Sequence, residues 1–209
     1  RDKSIVITFN GEIYNFMELR DQLEKLSIKF KGNSDTEVIL QTYEIWGLNG
    51  LKKLEGMFSF VYYDKLTKFF FAARDRFGIK PLYYSFDSNY AYIASEPYPI
   101  HKVTRAAIDK QSIDELVQFR RPSPGFSFYK DIFECLPGNY ISHNSRECKV
   151  WEGSYPVQSE ESYSNDELYE RLKYVFSLNT IADLPHCSFQ SAGIDSSLIS
   201  YLTKPKTVY

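Results

Sequence analysis

The chain has 209 residues, of which 43% are hydrophobic and 17% aromatic, enough for a globular protein with a substantial core. Its 25 basic residues are balanced by 27 acidic ones, so the charge pattern excludes a strongly basic nucleic-acid face or an acidic tail. No apolar run is long enough to span a bilayer. The 3 cysteines form no CxxC pair, and we expect reduced thiols in a cytosolic protein, with no metal site at Cys or His.

The first predicted elements are a strand and a helix. A β-rich run from Ser4 to Phe9 leads into the stretch TFNGEIYN, in which Asn10 and Gly11 predict a tight turn. Asn15 and Glu18 have the spacing of a capping box and predict that a helix begins there. Leucines at helical spacing give this helix a face for the core.

The next part of the chain changes from helix to strands. A second helix is predicted in NSDTEVILQTYEIWG, where Ser34 and Glu37 repeat the capping-box spacing and Gly47 ends the helix. Short aromatic-rich segments then predict consecutive antiparallel strands: MFSFVYYD, KFFFAARD, PLYYSF and YAYIASE. Two helices followed by such strands predict an α+β fold with helices packed on sheets.

The last quarter of the chain has a different pattern. A polar segment from Gln158 to Asp166 is typical of a linker, and we divide the chain there into domains 1–157 and 158–209. Apolar spacing predicts a helix over residues 165–179, then a short strand, a loop, a helix and a second strand at KTVY. Strand–helix–strand indicates the start of an α/β domain.

Asn10 and Gly11 also offer the donors that an acyl-transfer site needs. A side-chain amide beside a backbone N–H can form an oxyanion hole, and glycine lets a ligand approach the backbone closely. Glu12 and Asp35 can hold a cation such as the ammonium group of an amino acid. Taken alone, these residues favour an ordinary turn and an acidic residue in the first turn of a helix over a binding site.

Five motifs in order favour the first interpretation: FNGEIYN, SDTEVIL, LEGMFSFVYYD, RDRFGIKPLYY and ASE. Together they closely resemble the glutaminase domain of the asparagine synthetase family of class II glutamine amidotransferases, over about residues 5–140. The resemblance implies an N-terminal-nucleophile sandwich of antiparallel sheets with helices. It also implies that Asn10 and Gly11 form the oxyanion hole and that Asn10, Glu12 and Asp35 bind glutamine.

The nucleophile implied by this resemblance is an N-terminal cysteine whose own α-amino group acts as the base. Cys135, Cys148 and Cys187 are all internal, and an arginine expected to hold the glutamine carboxylate is also missing upstream. The chain begins at Arg1 without Met, so we interpret it as a fragment that is inactive alone.

The charged segment Arg74–Arg76 belongs to the RDRFGIKPLYY motif. It fits a turn with weak local ion pairs, or an element near the glutaminase site and its interface with the synthetase domain. We expect it to have a structural role.

The segment CSFQSAGIDSSLIS places serines and a glycine between a strand and a helix. Loop N–H and hydroxyl groups at a helix N-terminus suit a phosphate, although a simple helix cap at Asp195 or Ser196 is an alternative. The segment resembles the SGGxDSS pyrophosphate loop of N-type ATP pyrophosphatases, which asparagine synthetases carry at this place. The resemblance implies an α/β ATP-pyrophosphatase domain, ATP and Mg²⁺ as cofactors, Asp195 as a Mg²⁺ ligand, and these ATP-binding residues: Ser191, Gly193, Asp195, Ser196 and Ser197.

Two residues depart from that loop pattern. Ala192 replaces the first of the paired glycines, and Gln190 stands where an apolar residue is usual. The methyl group of Ala192 weakens phosphate binding if the position needs a positive φ and is harmless if φ is negative.

The implied reaction is ATP-dependent synthesis of asparagine from aspartate, with ammonia released from glutamine at one site and an acyl-adenylate formed at another. One alternative is an amidotransferase with a different carboxylate acceptor, such as a sugar or a natural product. Another is a non-catalytic binding or regulatory homologue. The expected partners are glutamine, aspartate and ATP, without nucleic acid or membrane, and a homodimer is left open.

Overall fold

The computed structural model describes residues 4–142, 149–150, 162–182 and 184–209. The chain forms two compact units, Arg1–Pro156 and Val157–Tyr209. The boundary that the sequence analysis placed after residue 157 lies outside the described residues, as do residues 158–161 of the predicted linker and Cys148.

The first unit contains two antiparallel sheets. Its strands in chain order are β1 (Ile5–Ile13), β2 (Gly56–Asp64), β3 (Phe70–Arg74), β4 (Tyr83–Phe86), β5 (Ala91–Ala94), β6 (Phe133–Glu134), β7 (Asn139–Ser142) and β8 (Lys149–Val150). The five-stranded sheet has the order β1–β2–β3–β7–β8, and the three-stranded sheet has the order β5–β4–β6. Every pairing in both sheets is antiparallel, as the aromatic-rich segments predicted.

The described residues of the first unit also form four α-helices and one 3₁₀ helix. They are α1 (Phe16–Lys25), α2 (Asp35–Trp46), the 3₁₀ helix (Gly47–Lys53), α3 (Pro97–Thr104) and α4 (Lys110–Phe119). The first two were predicted, and α2 ends at Gly47 with a φ of 55° as expected for a glycine stop. The sequence analysis did not anticipate α3 and α4.

The two predicted capping boxes differ in the structure. Asn15 precedes α1, but its side chain does not cap the helix. It is buried, and it binds Lys53 and Glu55 instead, by donating to the Lys53 carbonyl at 2.8 Å and accepting from the Glu55 N–H at 3.1 Å. Burial against this distant segment therefore overrides the local capping pattern.

The capping box of α2 is half present. The Ser34 hydroxyl accepts from the Glu37 N–H at 3.4 Å, as predicted. The Glu37 carboxylate turns instead to the N–H groups of Lys31 and Gly32, each at 2.8 Å. The side chains of Ser34 and Glu37 therefore shape both the start of α2 and the loop before it.

The core has two layers separated by the five-stranded sheet. On one face of the sheet, α1 and α2 pack through apolar residues such as Leu23 and Val38 against Phe58 and Phe60. On the other face, Ala72 and its neighbours meet the three-stranded sheet through a second buried cluster, whose members are Ala72, Leu82, Tyr84, Cys135 and Ile141. Since α3 also packs against β4 and β5, the first unit is the predicted α+β sandwich.

The turn predicted at Asn10 and Gly11 is wrong, because β1 continues through both residues to Ile13. Every residue of β1 has a partner on β2, including Gly11 opposite Phe58. Gly11 adopts a φ of 146°, and a Cβ placed on it would lie 2.0 Å from the Met57 carbonyl oxygen. The glycine therefore serves the close approach of two strands, and pairing with β2 keeps it from forming a turn.

The second unit contains α5 (Asn165–Asn179), β9 (Cys187–Ser188), α6 (Ile194–Thr203) and β10 (Thr207–Val208). Its two strands pair in parallel with α6 between them, which confirms the predicted strand–helix–strand pattern. The helix predicted over residues 165–179 is α5, and Ser164 and Glu167 form a complete capping box at its start. No helix in the described part of the chain is both long enough and apolar enough to cross a membrane.

Candidate functional site

The alternation of β1 separates its core residues from its candidate site residues. Ile7, Phe9 and Ile13 pack with the core on the helix side of the sheet. Asn10 and Glu12 lie on the opposite face of the strand and are exposed. The side of β1 that carries Asn10 borders a cavity of about 110 Å³ between the sheets, lined by Thr8, Phe9, Asn10, Ser59, Phe60, Val61, Leu82, Ile93, Ala94 and Ser95.

The backbone N–H of Gly11 is directed to the open edge of β1. Phe58, which lies opposite Gly11 on β2, directs both of its backbone groups away from β1. The Phe58 N–H donates to the Asp75 carboxylate at 3.1 Å, and the Phe58 carbonyl accepts from the Asp75 N–H at 2.8 Å. Gly11 and Phe58 are therefore a non-hydrogen-bonded pair of the antiparallel ladder. The N–H of Gly11 points away from β2, and β1 is the edge strand of the sheet that the described residues form.

Asp35 lies at the same edge. It is the first residue of α2, and its Oδ2 accepts a hydrogen bond from the Ile13 N–H at 3.2 Å. This N–H is two residues along from that of Gly11 and points to the same side of the strand. The structure therefore brings together the four predicted glutamine-site residues: Asn10, Gly11, Glu12 and Asp35.

Tyr14 is a further residue of this region to which the sequence analysis gave no role. Partial burial raises the pKa of its phenol, and the carboxylates of Glu12 and Asp75 raise the pKa further. Tyr14 is therefore a neutral hydrogen-bond donor near Glu12 at physiological pH. Its place within the FNGEIYN motif was the signal that could have identified it.

Ser95 is the second residue that was missed. It follows β5 directly, within the ASE motif, and its hydroxyl accepts a hydrogen bond from Asn10 Nδ2 at 3.4 Å. Asn10 belongs to the five-stranded sheet and Ser95 follows a strand of the three-stranded sheet, so this contact joins the two sheets at the candidate site.

Asp75 fixes the backbone behind Gly11. It is fully buried, and its carboxylate accepts four hydrogen bonds from backbone N–H groups at 3.0–3.1 Å, those of Phe58, Phe77, Ile79 and Lys80. Hydrogen bonds from several amides stabilise a buried carboxylate without a cationic partner. This arrangement confirms the structural role expected for the segment.

Arg74 holds the same loop from its other side. Its guanidinium pairs with Glu134 at 2.7 Å and donates to the carbonyls of Gly78 and Lys80, both at 2.8 Å, and to that of Cys135 at 2.5 Å. The side chain is almost completely buried, so this is not an exposed ion pair of little energetic value. The RDRFGIKPLYY motif thus forms the connection between β3 and β4, which hydrogen bonds of Arg74 and Asp75 hold in place next to β2.

The serine-rich loop lies between β9 and α6 of the second unit. Gly193 is the N-cap residue of α6 and its φ is −83°, so the capping positions considered for Asp195 and Ser196 are wrong. The hydroxyls of Ser191 and Ser196 lie 3.0 Å apart, and Ser196 and Ser197 donate to the Gly193 carbonyl at 3.2 and 2.9 Å. The loop thus gathers the predicted hydroxyl groups at the start of the helix, with Asp195 exposed in its first turn.

The two departures from the expected loop pattern have simple structural outcomes. Ala192 is not among the described non-glycine residues with a positive φ, so its methyl group requires no strained backbone. Gln190 donates from Nε2 to the Ser197 hydroxyl at 3.3 Å, which gives this polar side chain a partner within the loop.

Residues 1–155 match the family described as the glutamine amidotransferase domain. Among curated proteins, the chain is 34% identical over 213 residues to asparagine synthetase [glutamine-hydrolyzing] 1 of Bacillus subtilis, covering 97% of this chain and 33% of that protein. It is 32% identical to amidase chry2 of Gibberella zeae, covering 95% of this chain and 31% of that protein. The chain therefore spans about a third of the length of these relatives.

Among solved structures, the chain is similar to the glutamine phosphoribosylpyrophosphate amidotransferase of Bacillus subtilis. The TM-score is 0.51 at 16% identity, and the match covers 100% of this chain and 46% of that one. Similarity at this level of identity concerns the fold, and it agrees with the N-terminal-nucleophile sandwich implied by the sequence motifs.

Proposed function

The chain belongs to the glutamine amidotransferase domain family, and on that premise we propose that the full-length protein releases ammonia from glutamine at the edge of β1. One observation carries the proposal: the Gly11 N–H points to the open edge of the sheet beside the Asn10 side chain. Adjacent donors of these two kinds suit the oxygen of a carboxamide that becomes negatively charged during acyl transfer.

In this reaction the nucleophile is a cysteine thiolate that attacks the side-chain amide carbon of glutamine. The carbonyl oxygen gains negative charge and is stabilised by Asn10 Nδ2–H and the Gly11 N–H. Collapse of the intermediate expels ammonia and leaves an acyl-enzyme, which water hydrolyses to glutamate. Cys135, Cys148 and Cys187 are not proposed as this nucleophile, since the nitrogen of an internal cysteine is part of a peptide bond and cannot act as the base.

Glu12 and Asp35 are proposed to hold the amino-acid end of glutamine. The two residues meet at the end of β1, since Glu12 precedes Ile13 in the chain and the Asp35 carboxylate accepts the Ile13 N–H at 3.2 Å. Negative charge at this position favours the α-ammonium group of a free amino acid over a neutral amide. The position of Tyr14 near Glu12 suits a further polar contact to the same ligand.

We further propose that the loop from Ser191 to Ser197 binds the phosphates of ATP, and that Asp195 helps to hold Mg²⁺. The hydroxyl groups at the start of α6 and the exposed Asp195 carboxylate have the chemistry that a phosphate and a hard cation need. When bound, Mg²⁺–ATP activates the acceptor carboxylate toward ammonia. Ser191, Ser196 and Ser197 contribute neutral donors, which orient phosphate oxygens without adding charge.

For the acceptor, we propose aspartate, since several relatives of the chain are named asparagine synthetases. A second candidate is a different carboxylate, because two relatives at 31–32% identity are named amidases. Product formation by the full-length protein with glutamine, ATP and a panel of carboxylates separates these candidates. If aspartate is the one carboxylate of the panel that is converted, the result supports the first candidate. Conversion of another carboxylate but not of aspartate contradicts it.

The test of the glutaminase proposal is the variant Asn10→Ala in the full-length protein. We expect its rate of glutamate formation to fall by on the order of 10²-fold or more, because one oxyanion donor is lost. Asn89→Ala is the matched control, since Asn89 is an exposed residue in the turn after β4. An unchanged rate in Asn10→Ala would refute the assignment of the oxyanion hole.

A further inference from the structure

We propose that Ser95 is a positioning residue for the Asn10 side chain, an inference that rests on the proposed glutaminase function. The Ser95 hydroxyl accepts a hydrogen bond from Asn10 Nδ2 at 3.4 Å. Among the described residues, this is the only hydrogen bond of the Asn10 side chain. Ser95 would then act through Asn10 without contacting the reacting atoms.

The Asn10 side chain needs such a contact because it is exposed and has a broad torsional range. The terminal torsion of an asparagine has no sharp staggered minimum, so the plane of its carboxamide is set by hydrogen bonds. A carboxamide that rotates by half a turn presents its oxygen, which repels an oxyanion. The partner of Nδ2 therefore decides whether a donor or an acceptor faces the substrate.

The position of Ser95 is fixed by the second sheet. It comes directly after β5, whose residue Ala94 pairs with Tyr83, and directly before Glu96, the N-cap residue of α3. β5 belongs to the sheet that packs across the five-stranded sheet, with Ile93 against the buried cluster between them. The hydroxyl is thus held by a packed element of the other sheet, separate from the strand that carries Asn10.

The two N–H groups of Asn10 can therefore serve different partners. One donates to Ser95, and the other remains available at the same nitrogen for the developing oxyanion. The oxyanion of the transition state binds these donors more strongly than the neutral carbonyl of the bound substrate does. Loss of the alignment of Asn10 therefore lowers kcat more than it raises KM.

The first test is Ser95→Ala in the full-length protein, measured as glutamate formation from glutamine. We expect kcat to fall about three- to tenfold, the effect of one neutral hydrogen bond, with KM changed by less than about twofold. The matched control is Ser85→Ala, which removes a buried hydroxyl from β4 on the side of the sheet opposite to Tyr84, and its kcat should equal that of the wild type. Equal kcat values for Ser95→Ala and wild type would overturn the proposal.

The second test separates positioning from a general structural effect. If Ser95 acts through Asn10, the double variant Asn10→Ala/Ser95→Ala has the same kcat as Asn10→Ala alone. A further loss in the double variant equal to that of Ser95→Ala would show independent action and overturn the proposal. A wild-type protein without glutaminase activity would instead overturn the proposed function itself, so the two failures are distinguishable.

Discussion

Gly11 lies opposite Phe58 in the β1–β2 pair, and a Cβ built on Gly11 would be 2.8 Å from the Cα of Phe58. The two strands approach so closely because no side chain separates them at this point. Phe58 is in turn held by Asp75 through two hydrogen bonds: the Phe58 N–H donates to the Asp75 carboxylate, and the Phe58 carbonyl accepts from the Asp75 N–H. The direction of the Gly11 N–H thus depends on a contact made on the far side of the neighbouring strand.

The close approach predicts the effect of a methyl group at Gly11. In Gly11→Ala the new Cβ meets the Met57 carbonyl at 2.0 Å, and the φ of 146° is strained for alanine. We expect the free energy of unfolding to fall by about 2 kcal/mol or more, measured by denaturant unfolding. The control Gly32→Ala meets only the far end of Glu37, at 3.6 Å, and should stay within about 0.5 kcal/mol of the wild type. Similar unfolding midpoints for the two variants would contradict this account of Gly11.

The amide cluster at Asp75 predicts a strong effect of an isosteric change. Each carboxylate oxygen accepts two backbone N–H groups, so Asp75→Asn places an NH₂ group against two donors in a buried site. We expect a loss of about 3 kcal/mol or more in the free energy of unfolding, because these donors lose their acceptor. Asp114→Asn, on the exposed side of α4, is the control and should have little effect. A wild-type unfolding midpoint for Asp75→Asn would show that the cluster does not stabilise the loop.

The aromatic cluster beneath α2 predicts how stability depends on alkaline pH. Burial raises the pKa of Tyr43 from 10.0 to about 12, with the neighbouring Tyr62 and Tyr140 adding to the shift. Between these two values the unfolded chain loses the phenol proton and the folded chain retains it, so the free energy of unfolding falls as pH rises. Tyr43→Phe keeps the ring that stacks on Phe71 at 4.7 Å and removes this titration. We therefore expect its free energy of unfolding to fall less steeply than that of the wild type between about pH 10 and pH 12. Parallel pH profiles would contradict the raised pKa.

The serine-rich loop predicts that the two proposed activities can be separated. In the full-length protein, Asp195→Asn should lower ATP-dependent product formation by about tenfold or more, since it removes a proposed Mg²⁺ ligand. Glutamate formation measured without ATP should remain at the wild-type rate. Asp166→Asn, in the first turn of α5, is the matched control and should leave both rates unchanged. Equal losses of both activities in Asp195→Asn would contradict separate sites.

The sequence by itself determined the elements whose signals are local. Alternating aromatic residues identified β2 to β5, and apolar residues at helical spacing identified α5 along its whole length. The strand–helix–strand order of the last residues also predicted the parallel pair β9–β10. These patterns were sufficient because hydrophobic periodicity depends on residues a few positions apart.

Only the tertiary structure decided what happens where distant segments meet. Asn10 and Gly11 form a strand because β2 supplies their partners, although the same two residues by themselves favour a turn. Asn15 leaves its capping role for partners on a later segment, and Ser95 reaches Asn10 from the other sheet. Each of these outcomes balances a weak local preference against burial and hydrogen bonds between residues far apart in the chain. Such contacts exist only after the sheets have packed, so local sequence patterns do not contain them.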